Sequence, residues 1–155
     1  MPLSIIFLGD ADTGKTNLIT RFVGNVFSSE YPPTIEEVYS KRLGSITLTI
    51  TDLGGNEDYD RLRALYSERH ADFFVITYAV DNKSSWENLE TKWIPLTRHW
   101  KGDVPVVVVG CKADLGQPGS ADPNILCSAL HGWGCKEVFE TIVGMAGFTN
   151  RIRRD

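Results

Sequence analysis

One eight-residue run, Gly9-Asp10-Ala11-Asp12-Thr13-Gly14-Lys15-Thr16, constrains this chain more than any other feature. It satisfies G-x-x-x-x-G-K-[ST] and directly follows the apolar run Leu3 to Leu8, the signature of a central buried strand. From Lys15 to Val23 the apolar residues Leu18, Ile19, Phe22 and Val23 recur on one helical face. Strand, glycine-rich turn and helix in that order form a cradle for phosphate. The turn lets consecutive backbone N–H groups surround phosphate oxygens, and the helix adds the positive end of its dipole. Lys15 supplies a point charge for β- and γ-phosphates, and the Thr16 hydroxyl is a ligand for Mg²⁺. The candidate phosphate-contacting stretch is Asp12, Thr13, Gly14, Lys15, Thr16 and Asn17.

The rest of the chain alternates strand and helix, which predicts an α/β layer fold with a mostly parallel sheet. Ile46, Leu48 and Ile50 alternate with threonines, a period-two strand that pairs as a hairpin with Val38 to Leu43 through Gly44-Ser45. Buried strands are predicted at Phe73 to Val80 and Val104 to Val109, and a short one at Asn124 to Cys127. Trp86, Leu89, Trp93, Leu96 and Trp100 recur at spacings of three and four, so Ser84 to Trp100 reads as a core-facing helix kinked at Pro95. Val138 to Ala146 marks a last helix. At 155 residues the expectation is one domain, 1–155, without repeats or linkers. A net charge of −4 excludes the broad basic face of a nucleic-acid binder. No apolar run approaches the roughly 20 residues needed to cross a bilayer. The three cysteines, Cys111, Cys127 and Cys135, lack metal-ligand spacing and read as free thiols in a reducing cytosol.

Two further carboxylates fit a nucleotide site. Asp52, in Asp52-Leu53-Gly54-Gly55, sits at a strand tip where a second Mg²⁺ contact is expected, often through water. Asp114 lies in Gly110-Cys111-Lys112-Ala113-Asp114, after the fifth strand. Guanine presents N1–H and its 2-amino group side by side, and one carboxylate can accept both. Adenine has no such pair of donors, so Asp114 selects guanine. Lys112 lays its stem over the base, and Ser128-Ala129-Leu130 is placed to offer a backbone N–H to the guanine O6.

Taken together, GDADTGKT, Tyr31-Pro32-Pro33-Thr34, DLGGNEDYDRLR, CKAD and CSAL resemble a Ras-superfamily small GTPase, closest to the Rho family. Pro32-Pro33 with Glu36-Glu37, Tyr78 to Lys83, Trp93-Ile94-Pro95-Leu96 and Gly110-Cys111-Lys112 are also similar to the N-terminal GTPase domain of Miro proteins. The resemblance implies a three-layer P-loop GTPase fold whose sheet has five to six strands. It implies that Phe27 packs on the guanine, that Thr34 completes the Mg²⁺ shell, and that the Gly55 N–H senses the γ-phosphate. It also implies a GTP/GDP switch whose loops 27–39 and 54–66 meet effector, exchange-factor and GTPase-activating proteins.

The chain departs from that pattern at several positions. The water-orienting glutamine of the family falls at Asn56, one methylene too short to reach the attacking water. Ala11 replaces the glycine facing the γ-phosphate, and its Cβ crowds both the water and an incoming arginine finger, a group worth roughly 10³–10⁵ in rate. Gly54 replaces an alanine and loosens the loop after it. The expectation is a slow GTPase with Lys15, Gly55 and Asn56 at the reacting phosphate. A non-catalytic interaction module is the alternative. The effect of Asp12 depends on where it points: toward phosphate it weakens binding and hastens nucleotide exchange, toward solvent it does little. Only thirteen residues, Leu115 to Cys127, separate Asp114 from Ser128, so the helix between the last two strands is expected to be missing. The C-terminus carries no C-a-a-X box, so no prenyl anchor is expected. The expected location is the cytoplasm, with membrane association only through a partner.

Overall fold

The computed structural model describes residues 2–29, 36–54, 71–115 and 125–154. Thr34, Gly55, Asn56 and most of the two expected switch loops lie outside the described residues.

Strand β1 (Leu3–Gly9) runs through the middle of a six-stranded sheet, with β3 (Ile46–Leu53) on one side and β4 (Phe73–Ala79) on the other, both parallel to it. Beyond β3 lies β2 (Glu36–Leu43), the one antiparallel member, turned back through Gly44 at φ 63. Beyond β4 lie β5 (Val106–Cys111) and the two-residue β6 (Ile125–Leu126), giving the order β2-β3-β1-β4-β5-β6. The expected α/β sheet is therefore present, with its full six strands.

Alternating residues of β1 serve two separate cores, as the pleat requires. Ile5 and Phe7 join Leu18 and Ile19 of helix α1 (Lys15–Gly24) and Val138, Phe139 and Ile142 of the C-terminal helix Cys135–Arg154. Phe22 stacks on Phe139 with centroids 3.8 Å apart, fixing those two helices against each other. Ile6 and Leu8 face the opposite layer, where Leu89, Trp93 and Trp100 are buried. The tryptophan stripe is thus core, as its spacing predicts.

The expected single helix Ser84 to Trp100 is three pieces: α2 (Lys83–Asn88), a π-helical turn (Leu89–Trp93) and α3 (Ile94–Lys101). Pro95 has no N–H to give and its ring collides with the carbonyl four residues back. Widening the preceding turn to i→i+5 bonding absorbs that conflict, so the helix carries a π-turn where a proline kink was expected. The fifth strand starts at Val106, two residues later than expected. Val104 spends its N–H closing the turn onto the Lys101 carbonyl at 3.1 Å, and Pro105 has none to offer a neighbouring strand. After β5 the described part of the connection is one 3-10 turn, Ala113–Leu115; the remainder, 116–124, lies outside the described residues. All four parallel partners of the sheet's centre present their carboxyl ends on one edge, where ligand crevices form in open α/β sheets.

Candidate nucleotide site

At that edge β1 ends in Gly9, whose φ of +138 disfavours any side chain. A Cβ there would also collide with the Thr77 carbonyl of β4. The loop is braced from below by Thr13, which donates to the Asp10 carbonyl at 3.0 Å and shares a hydrogen bond of 2.8 Å with the Thr77 hydroxyl. Gly14 sits at φ +105 and opens α1 with no side-chain cap and no acidic residue in the first turn. The first N–H groups of the helix therefore remain a site for an anion.

Lys15 is buried at 6% exposure, its ammonium donating to the Gly9 carbonyl at 2.9 Å and the Asp10 carbonyl at 2.8 Å. The loop is curled around its own cation. Asp12 occupies the left-handed region at φ 63 and is exposed, which places its carboxylate toward solvent. Aspartate tolerates that conformation better than most residues, so the loop keeps its shape without a glycine there.

Asp10 was not read from the sequence as a site residue, yet it anchors the loop. Its two carboxylate oxygens accept from the Trp93 indole N–H at 2.9 Å and the Asn88 amide at 2.7 Å. Asn88 precedes the π-turn and Trp93 ends it, so the widened turn aims two side chains at the phosphate loop. The sequence carries a faint signal: an aspartate emerging from a buried strand needs donors, and a tryptophan in a core stripe still has an N–H to place.

Asp52 ends β3 fully buried. Its Oδ2 accepts from the Thr16 hydroxyl at 2.6 Å, whereas Oδ1 has no hydrogen-bond partner among the described residues. Burial pushes its pKa up, against the lowering effects of the Thr16 hydrogen bond and the nearby Lys15 charge, with Glu37 adding a smaller upward push. A buried carboxylate oxygen without a donor is costly. A hard divalent cation is the partner that oxygen chemistry favours here, so Thr16 and Asp52 fit Mg²⁺. Asp52→Asn removes the charge and keeps the shape. The ligand-free protein is then expected to gain about 1–2 kcal/mol, or roughly 2–8 °C in Tm. Thermal scans in EDTA and in Mg²⁺ check it, since the variant should also lose any Mg²⁺-dependent gain.

The base motif follows β5. The Ser128 hydroxyl donates to Asp114 Oδ1 at 2.7 Å, so the two segments expected to read the base hold each other. Lys112, at φ 58, reaches back and donates to the Asp12 carbonyl at 2.7 Å. Cys111, expected with Lys112 and Asp114 among the nucleotide-binding residues, turns its side chain inward. Its side chain is buried beneath the phosphate loop, with its Cβ 3.2 Å from where a Gly14 Cβ would stand and its sulfur 3.9 Å from that of Cys127. Cys111, Cys127 and Cys135 are all buried free thiols. Mutual contact and burial push the Cys127 and Cys135 thiols far up, away from thiolate chemistry.

Asn17, expected in the phosphate-contacting stretch, turns its side chain to another task. Its side chain donates to the Ser28 carbonyl at 2.8 Å and accepts from the Ser28 N–H at 3.0 Å, clamping the segment that carries half-buried Phe27. Asn17→Ala removes both bonds at once. Release of a fluorescent GDP analogue from the folded variant is expected to quicken by roughly 5–30-fold, the kinetic equivalent of about 1–2 kcal/mol.

Strand, curled glycine loop, uncapped helix and a buried carboxylate at the neighbouring strand tip define a P-loop nucleotide-binding protein. The chain belongs to the Ras family, whose model matches residues 4–146. It is 38% identical over 123 residues to the Ras-like GTP-binding protein RhoL of Drosophila melanogaster, an alignment covering 77% of this chain and 64% of that relative. The chain thus spans less than two thirds of the relative's length. It carries a Ras-family GTP-binding domain.

Proposed function

We propose that the protein is a GTP-dependent switch of Rho-like character that binds GTP and GDP with Mg²⁺ and hydrolyses GTP slowly. The observation that carries this reading is the 2.7 Å bond from the Lys112 ammonium to the Asp12 carbonyl. It joins the phosphate loop to the segment holding Asp114, so one nucleotide spans both. In this reading Lys15 holds the β- and γ-phosphates, and Asp114 accepts the two guanine donors. Thr16, Thr34 and Asp52 hold the Mg²⁺. The ion, when bound, neutralises charge on the phosphates. Phe27 and the Ala129-Leu130 backbone complete the base pocket, and the Gly55 N–H reports the γ-phosphate to the loop after it.

Slow chemistry follows from Ala11, whose exposed side chain stands on the phosphate loop, and from the short amide of Asn56. The likeness to a protein described as GTP-binding, together with Asn56 to Arg63, supports the Rho-like assignment. The Miro likeness rests on the motifs alone. Effector, exchange-factor and GTPase-activating proteins are the expected partners, met in the cytoplasm, where the three unbridged cysteines are at home.

The test is titration with fluorescent GDP and GTP under ATP competition, followed by single-turnover hydrolysis. Expected are guanine-selective binding and a rate at or below about 10⁻⁴ s⁻¹, accelerated by Asn56→Gln. Binding without turnover in wild type and variant alike selects the non-catalytic interaction module. Fast hydrolysis that Asn56→Ala leaves unchanged overturns the slow-GTPase reading.

A further inference from the structure

Resting on that base-reading proposal, we infer that Arg21 is a positioning residue for guanine, setting the loop that reads the base O6. Arg21 lies in the last turn of α1, more than a hundred residues from the loop in sequence. Its Nε donates to the Ala129 carbonyl at 2.7 Å and its Nη2 to the Leu130 carbonyl at 3.0 Å. Its Nη1 donates to Asn25 Oδ1 at 3.1 Å, which holds the guanidinium plane from the far side. A planar fork with fixed donors is suited to gripping two consecutive carbonyls, and an ammonium is not.

Peptide planarity turns that grip into an orientation. In a trans peptide the carbonyl and the N–H point in opposite directions. With the Ala129 carbonyl drawn to α1, the N–H of Leu130 faces away from it. The Ser128 carbonyl is drawn into the loop by the N–H groups of Gly132 at 2.7 Å and Trp133 at 2.9 Å, which sets the N–H of Ala129 in the same manner. The loop also carries the hydroxyl that orients Asp114, so its position bears on both halves of base recognition.

Apolar burial does little to hold this loop. Leu130 is 51% and Trp133 55% exposed, and the strand leading in, β6, has only two residues. Ala129 alone packs partly against the core. The fork of Arg21 is the contact that fixes the loop to the rigid helix bearing Lys15 and Thr16.

The experiment compares GDP with the diphosphate of 2-aminopurine riboside, which keeps the 2-amino group but lacks O6 and the N1–H, so it drops the base edge that the Ser128 to Leu130 loop sets directly and through Asp114. Wild type should prefer GDP. Arg21→Ala should weaken GDP binding by roughly tenfold, mostly through faster release, and the 2-aminopurine nucleotide by less than about twofold. Arg21→Lys, which keeps a cation but loses the fork, should fall between. If wild type binds the two nucleotides equally, neither O6 nor N1–H is read and the base-reading proposal fails, taking this inference with it. If wild type discriminates, equal weakening of both nucleotides by Arg21→Ala and Arg21→Lys, or no weakening, overturns the positioning role alone. Should the alanine variant not fold, the lysine variant decides by the same ratio.

Discussion

Replacing Lys15 with alanine should abolish nucleotide binding at micromolar concentrations while leaving the fold intact. The ammonium is buried and donates to two carbonyls of its own loop. In the ligand-free protein, deletion strands those carbonyls but also removes a cation held out of water, and the two effects oppose each other. The bound state has no such compensation. A lysine on β- and γ-phosphates makes charge-assisted bonds of about 1.5–3 kcal/mol each, so losing two lowers affinity by roughly 10²–10⁴-fold. Arginine should not rescue it, because a broad guanidinium cannot enter a loop curled around a compact ammonium. Calorimetric titration with GDP, beside a circular dichroism melt, checks both halves. Binding within threefold of wild type would remove Lys15 from the site.

How much of this was legible beforehand depended on the range over which each feature is determined. The phosphate loop was legible because phosphate chemistry demands particular residue types at fixed spacing, and the flanking strand and helix confirm it locally. The hairpin of β2 and β3 was legible for the same reason, with alternation and a glycine turn within a few residues. The π-turn was not. Proline at 95 predicts a conflict, but whether it is met by bending or by widening depends on the packing of Leu89 and Trp93 into the core. The start of β5 at Val106 turned on where Val104 sends its N–H, a contact that composition does not reveal. Asp10 with Trp93, and Arg21 with Ala129, join residues 83 and 108 positions apart, and neither pair has a motif to announce it. The direction of the Cys111 side chain was hidden for a related reason. It stands in the expected base motif, and the pleat of β5 turns its side chain into the core.

Asp114→Asn should reverse the base preference from guanine to xanthine. The argument needs only the donor and acceptor pattern of each partner. In the proposed site the carboxylate accepts from N1–H and the 2-amino group of guanine. An asparagine retains one acceptor, but its NH₂ faces the guanine 2-amino group, donor against donor. Xanthine carries a carbonyl oxygen at that position, so the same NH₂ finds an acceptor. Each misplaced charge-assisted bond costs about 1.5–3 kcal/mol, and a buried donor left unpaired adds to it, so GDP should weaken by roughly 10²–10³-fold while XDP gains. The loop should stay in place, because Ser128 donates to Oδ1 and an amide oxygen accepts that bond as well. Competition of GDP, XDP and ADP against a fluorescent nucleotide measures the exchange directly. Parallel loss of GDP and XDP would mean that Asp114 shapes the loop without reading the base.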